Sequence, residues 1–291
     1  MRALLLICLG LLAACRSLSP VPAWQSPQGR DDAQLGQIIE SSSGARLTPA
    51  QLVERLAGSG RVLVGEQHDN PDHHALELWL LQALASRRAQ GSLLLEMLEP
   101  AQQAKVDAAR RQTGEGAPPA DLPAALAWQK GWDWALYGPL VRYALGQPYP
   151  LLAANLDRSE IMGIYRAPTA LSGSASTAPA VREPLLEQIR QSHCGLLPES
   201  QLPAMLAVQQ QRDRRIAERL RDAPTPALLF AGAYHARRDL GVPLHLADLG
   251  VQGAKVLLLV EVGQQVAPGS ADFIWYMAAQ PEQDHCAELR R

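Results

Sequence analysis

The stretch at residues 61–81 constrains this chain more than any other. Residues 62–64 form a short, continuous apolar run, which suits a strand buried on both faces. Gly65 closes the run, and Glu66, His68, Asp69 and Asp72 follow at once. Pro71 fits the first turn of a helix with Asn70 as its N-cap, and Leu76, Leu80, Leu81 and Leu84 continue at helical spacing. A strand, a polar loop and a helix start make the unit with which open α/β sheets bind ligands beyond the carboxyl ends of their strands. His73 and His74, taken alone, read as solvated histidines. Glu66 and His68 stand where an apolar strand meets its loop, which singles them out. The arrangement recurs: residues 227–231 are apolar, and Gly232-Ala233-Tyr234-His235 repeats the Gly-x-x-His pattern.

Further strands are expected at residues 93–98, apolar except Glu96, at 150–155, ending on Asn155, and at 255–262. Residues 272–276 read as an edge strand. Helical patterns cover 100–111, 122–129, 139–145, 181–191 and 199–221, and Thr48 caps a helix over 49–57. Strands alternating with helices predict an α/β fold, with a largely parallel central sheet, helices on both faces and a small helical subdomain. The domain is expected over residues 38–291. Residues 15–37, with Pro20, Pro22, Pro27 and Gly29 among polar residues, read as a tether. Residues 167–179, rich in Ser, Ala, Gly and Pro, read as a surface loop.

Residues 1–14 have the composition of a signal peptide: Arg2, an apolar stretch, then Leu12-Ala13-Ala14 before Cys15. The ending resembles a bacterial lipobox, which implies cleavage before Cys15 and lipidation of that residue. With Arg16 next, the resemblance favours an outer-membrane lipoprotein facing the periplasm of a Gram-negative cell. Of the four cysteines, Cys8 leaves with the signal and Cys15 carries lipid. Cys194 and Cys286 remain in a compartment that permits disulfides, and a bridge between them is expected. Lys and Arg number 27 against 29 Asp and Glu, for a net charge of −2, so the chain carries no basic footprint for nucleic acid.

In a parallel sheet, Glu66, His68, Glu96, Asn155 and His235 fall along one edge. Two histidines and two carboxylates there could hold a first-row divalent metal, or serve as a metal-free acid/base pair. The plainer alternative is a buried Glu96 paired to Arg237 or Arg238. The chain has no Gly-x-Ser-x-Gly elbow, no Walker phosphate loop, no His-Glu-x-x-His helix and no Cys-x-x-Cys-His. Trp128, Trp132, Trp134 and Tyr137 form an aromatic run at spacings typical of core packing. Lys130, Gly131 and Asp133 interrupt it, so part of the run is expected at a surface or pocket. A flat macrocycle needs such a lining: aromatic faces, a basic residue such as Lys130 for propionates, and an axial ligand.

Several motifs together carry a family resemblance. They are Val-Gly-Glu-Gln-His-Asp-Asn-Pro-Asp-His-His (64–74), Leu-Glu-Met-Leu (95–98), Trp-Asp-Trp-Ala-Leu-Tyr-Gly-Pro (132–139) and Ala-Ala-Asn-Leu-Asp-Arg (153–158), with Gln209-x-x-x-Asp213 and the motif at 232–243. With the lipobox, the chain resembles the ChaN-like family of iron-regulated haem-binding lipoproteins. The resemblance implies an α/β fold, a role in haem and iron acquisition beside haem-uptake components, and a homodimer holding two cofacial haems. It further implies ferric iron bound by a tyrosine, with propionates held by the partner subunit; tyrosinate ligation suits ferric haem. Motif context points to Tyr137 as the iron ligand, then Tyr234, then the other four tyrosines, with His68, His235 and Lys130 as further haem contacts. The family is also similar to a wider set in which paired Gly-x-x-His motifs belong to hydrolases, including metal-dependent proteases and erythromycin-esterase-like enzymes. In that alternative Glu66, His68, Glu96 and His235 form the catalytic metal centre.

Overall fold

The computed structural model describes residues 18–282 and 286–287. Their strands are β1 (Ile38–Glu40), β2 (Ala45–Leu47), β3 (Arg61–Glu66), β4 (Ser92–Leu95), β5 (Leu151–Ala153), β6 (Ala227–Gly232), β7 (Lys255–Glu261) and β8 (Phe273–Met277). Their helices are α1 (Pro49–Ala57), α2 (Pro71–Ala85), α3 (Gln103–Gly114), α4 (Leu122–Ala125), α5 (Trp134–Leu145), α6 (Arg158–Arg166), α7 (Pro179–Ser192), α8 (Leu202–Asp222), α9 (Ala233–Ala236) and α10 (Val242–Asp248). One sheet runs β2-β1-β8-β7-β3-β6-β4-β5, and only the β2-β1 and β1-β8 pairs are antiparallel.

Strand alternation divides the core into two layers. In β3, Val62 and Val64 face α1, α2 and α5, whereas Leu63 faces α8 and α10. Both sets are fully buried, which is why the strand reads as an unbroken apolar run. The segment from α3 to α5 is the small helical subdomain between β4 and β5. A satellite cluster joins Val181, Leu185 and Ile189 of α7 to Leu202 and Leu206 of α8. Among the described residues no helix is long and apolar enough to cross a membrane.

The helix starts follow their local chemistry. Thr48 Oγ1 accepts from the Gln51 backbone N–H at 3.2 Å, and Gln51 Oε1 accepts from the Thr48 N–H at 2.8 Å, a reciprocal capping box for α1. Asn70 caps α2 by accepting from the Asp72 N–H at 2.9 Å. Asp133 caps α5 through Ala135, so this helix begins ahead of the expected residue 139, and Pro139 lies inside it on its exposed side.

Three expectations need correction. Residues 272–276 are interior, because the hairpin of β1 and β2 pairs antiparallel on β8 and takes the edge. The described part of the expected tether is also docked on the domain. Asp72 accepts from the backbone N–H groups of Gln25 and Ser26 at 2.6 and 2.9 Å, and Trp79 Nε1 donates to the Ser19 carbonyl at 2.9 Å. Leu18, Val21 and Trp24 pack against the core beside α2. Finally, His73 and His74 are buried, since α2 is enclosed by the sheet, α5 and this N-terminal strap. The expected signal peptide and lipidated Cys15 lie outside the described residues.

Cys194 and Cys286 are joined in a disulfide across a sequence separation of 92, fixing residue 286 to the end of α7. Cross-linking a loop of this length constrains the unfolded chain by about 4 kcal/mol in the loop-entropy model. Oxidised protein lacking Cys15 should show no free thiol on unfolding. Replacing Cys194 and Cys286 together by Ser should lower the unfolding free energy by up to about 4 kcal/mol in a urea titration.

Candidate functional site

Parallel strands β3, β6, β4 and β5 lie side by side, so the residues after their carboxyl ends share one edge. The two Gly-x-x-His motifs interlock there. A Cβ on Gly65 would stand 2.9 Å from Ala236 Cβ and 3.0 Å from Ala233 Cα, so Gly65 leaves room for the second motif's helix α9. A Cβ on Gly232 would stand 2.8 Å from His68 Nε2, so Gly232 leaves room for the first motif's histidine. Each glycine is required by the other motif's side of the edge.

Glu66 is the hub of the first half. Its Oε1 accepts from the Tyr137 hydroxyl at 2.7 Å and lies 2.8 Å from His68 Nδ1. Its Oε2 lies 3.3 Å from His74 Nε2 without an aligned hydrogen bond, because that nitrogen is directed to the His68 carbonyl at 3.0 Å. His74 Nδ1 faces Glu77 Oε2 at 3.3 Å. Burial works against the Glu66 carboxylate, yet the His68 hydrogen bond and the charges of His74 and His68 hold it below the usual range. His74 is also penalised by burial, but Glu77 and Glu66 push it up to about 9. Burial and the charge of Glu66 push Glu77 up to about 7. His73, buried with Nδ1 accepting from the Gln67 N–H at 2.9 Å, is pushed down to about 3 by burial.

The second half centres on His235. Its Nδ1 lies 2.5 Å from Asp213 Oδ1, and its Nε2 lies 3.2 Å from Glu96 Oε1. Glu96 Oε2 accepts from the Gly232 N–H at 2.8 Å, and Asn155 Nδ2 donates to the Glu96 carbonyl at 2.9 Å. Burial opposes charge on both partners. It is outweighed on Glu96, whose carboxyl is held well below its usual range by the charge and hydrogen bond of His235, and on His235, which the charges of Glu96 and Asp213 push up to about 10. The alternative pairing of Glu96 with Arg237 or Arg238 does not occur: Arg237 bonds Asp239 and Arg238 bonds Asp272.

The structure therefore brings Glu66, His68, Glu96, Asn155 and His235 to one edge, and adds Tyr137 through its bond to Glu66. Tyr137 is 1% exposed, and burial together with the charges of Glu66 and Glu77 raises its phenol well above the usual range. Tyr234 is 40% exposed, with the Arg237 guanidinium 5.6 Å from its ring centre. His68, its side chain 40% exposed, meets Trp132 edge-on with ring centres 4.8 Å apart. Trp128, Trp132 and Trp134 are partly buried against the core, and Lys130 is exposed. Among the described residues, the trio whose ligand atoms lie within 4.8 Å of one another is Glu66, His74 and Glu77. Within the expected set, Glu66 Oε1 faces His68 Nδ1 and Glu96 Oε1 faces His235 Nε2, while Gly232 lies between His68 and Glu96.

Sequence reasoning did not assign Asp213, Gln209, His74 or Glu77 to the site. Gln209 and Asp213 are four apart on α8, hence on one face, and both reach His235. His74 and Glu77 are three apart on α2 in the same way. The spacings were visible, but the partners come from distant strands.

The sequence profile described as "Haem-binding uptake, Tiki superfamily, ChaN" matches residues 52–246. The fold is similar to a solved structure described as cofacial heme binding to ChaN of Campylobacter jejuni. That match has a TM-score of 0.76 and 29% identity, covering 82% of this chain and 95% of that one. An erythromycin esterase, EreC, in its open conformation matches at a TM-score of 0.46 and 12% identity, over 82% of this chain and 81% of that one. RRSP, a toxin effector domain from Vibrio vulnificus, matches at 0.44 and 15%, over 80% of this chain and 38% of that one. No curated protein matches in sequence.

The Glu96–His235–Asp213 arrangement generates a pH prediction. His235 is raised from 6.5 to about 10, so its contribution to stability is complete below 6.5 and is lost as pH rises through about 10. Glu96 is lowered, so its contribution is present above its ordinary value and is lost in acid. Chemical denaturation should show stability falling between pH 6.5 and about 10, with a shallower fall in His235→Gln. That variant should also lose about 3–5 kcal/mol near neutrality, because it leaves buried carboxylates uncompensated.

Proposed function

From the premise that this chain belongs to the ChaN haem-binding uptake family, we propose that it is a haem carrier of an iron-acquisition system, without turnover. The observation that carries this reading is the likeness, over most of both chains, to a ChaN structure described as binding cofacial haem. In this reading the haem is ferric, a tyrosine ligates the iron, and two copies of the chain face each other across two haems. Cys15 holds the protein on the periplasmic side of the outer membrane, as the lipobox implies.

The side chains at the edge favour a site on its outer lip. Tyr137 is a poor source of tyrosinate: reaching an iron would break its bond to Glu66, and ionising it would add charge beside buried carboxylates. Tyr149 and Tyr276 are buried as well. Two tyrosines combine accessibility with a position past the carboxyl ends of strands. Tyr234 follows β6, with the Arg237 guanidinium 5.6 Å from its ring centre. Tyr165 lies in α6, after β5, and α6 has no buried residue and exposes Met162 at 40%. We place the iron ligand on one of these two, with His68 and Trp132 lining the haem and Lys130 available to a propionate.

Titrating haem-free, Cys15-free protein with hemin should give a Soret band and the charge-transfer feature of high-spin tyrosinate iron. Tyr234→Phe or Tyr165→Phe should remove that feature, and Tyr137→Phe should keep it. Loss in Tyr137→Phe alone would return the iron to Tyr137. Hemin spectra indistinguishable from those in buffer would sink the carrier reading.

A further inference from the structure

The inner group of Glu66, His74 and Glu77 is not needed by a haem on the lip, and its chemistry is unusual for a packed core. Both carboxylate side chains are fully buried and the imidazole is 3% exposed. Among the described residues, the hydrogen bonds and ion pairs of Glu66 and Glu77 run only to His68, His74 and Tyr137, with no lysine or arginine among them. Two buried oxygens, Glu66 Oε2 and Glu77 Oε1, accept no hydrogen bond. A buried carboxylate oxygen left in this state is costly, so a ligand that completes it gains what the protein alone forgoes.

We propose that Glu66, His74 and Glu77 bind a first-row divalent cation such as Zn²⁺ or Mn²⁺. Two carboxylates and a neutral imidazole balance a divalent charge. Oxygen and imidazole donors suit these ions. With metal–ligand bonds of about 2.0–2.2 Å, ligand atoms at a tetrahedral angle stand about 3.4 Å apart. His74 Nδ1 and Glu77 Oε2 stand 3.3 Å apart, Glu66 Oε2 lies 3.3 Å from the neighbouring Nε2, and one ligand atom from each residue falls within 4.8 Å of the others.

The surroundings match what holds a metal's ligands in place. Ligating histidines direct their other ring nitrogen to a carbonyl or carboxylate, and ligating carboxylates are themselves hydrogen-bonded. His74 Nε2 is directed to the His68 carbonyl, and the Tyr137 hydroxyl donates to Glu66 Oε1. The Tyr137 ring also meets His74 edge-on, with centres 4.4 Å apart. A cavity of about 400 Å³ between the N-terminal strap, α2 and α5 has His74 in its wall, with Ser19, Pro22, Leu78, Leu136 and Pro139.

The test uses haem-free protein, so it is independent of the carrier reading. The chain is dialysed against ZnCl₂ or MnCl₂, then against metal-free buffer, and its metal is counted by mass spectrometry. Stoichiometric retention is expected, with a melting temperature above that of chelator-treated protein, because an ion that binds only the folded state stabilises it. Glu77→Gln should lose both effects. Should that variant fail to fold, anomalous diffraction from wild-type crystals soaked in MnCl₂ decides: a peak is expected between Glu66, His74 and Glu77. No retained metal and no peak would overturn the proposal. So would metal that Glu96→Gln removes and Glu77→Gln keeps, which would move the ion to the other half of the edge. Protein that retains metal but binds no hemin would sink the carrier reading alone.

Discussion

Everything at the functional edge depends on how closely β3 and β6 bring their two loops together, and glycine sets that distance. The strands pair in parallel from Arg61 opposite Ala227 to Glu66 opposite Gly232, so the loops leave the sheet level with each other. Any side chain at Gly65 would strike Leu258, Ala236 and Ala233, and any at Gly232 would strike His68. The repeated Gly-x-x-His is therefore one reciprocal contact written twice. Each glycine admits the other motif, and each histidine reaches a carboxylate at the end of a strand.

That contact concentrates buried charge. Glu66, Glu77, Glu96 and Asp213 are all buried, and their counter-charge comes from histidines. Such pairs rarely add net stability over an apolar core, because desolvation offsets their attraction, but breaking one leaves a costly orphan. Their effect is to fix positions. His235 is held between two carboxylates and Tyr137 is tied to Glu66, which fixes these side chains against one another. The outer layer is accessible, where His68, Trp132, Tyr234 and Lys130 retain exposure.

The sequence disclosed the parts of this arrangement that depend on local pattern. Buried parallel strands announce themselves as apolar runs, and Asn70-Pro71 and Thr48-Pro49 announce helix starts, so β3, β6, β7, α1 and α2 were legible. Glu66, His68, Glu96, Asn155 and His235 were legible too, because a parallel sheet aligns the ends of its strands. What pattern alone could not supply was tertiary partnership. The three-residue strands β1 and β2 are too short for periodicity, and their pairing turned an expected edge strand into an interior one. His73 and His74 looked solvated because α2 begins with polar residues, yet the strap and α5 cover it. Glu96 had arginines close to His235 in sequence, but the histidine itself took the carboxylate.

The strap also bears on how an anchored domain would sit. Its composition suggested a free tether, since proline and polar residues favour extended, solvated chain. Ser19 instead accepts from Trp79, and Gln25 and Ser26 are held by Asp72, whose helix cap Asn70 also donates to Glu261 at 2.7 Å. The chain is thus fixed to the domain from Ser19 onward. If Cys15 carries the lipid, only the residues between it and Ser19 separate bilayer from protein, a reach of roughly 14 Å at full extension. The domain would then ride close to the membrane on the side where the strap enters, beside α2 and α5. The strap, the cap of α2 and the His74–Glu77 pair are one connected piece of structure, so the N-terminal strap also encloses the buried half of the site.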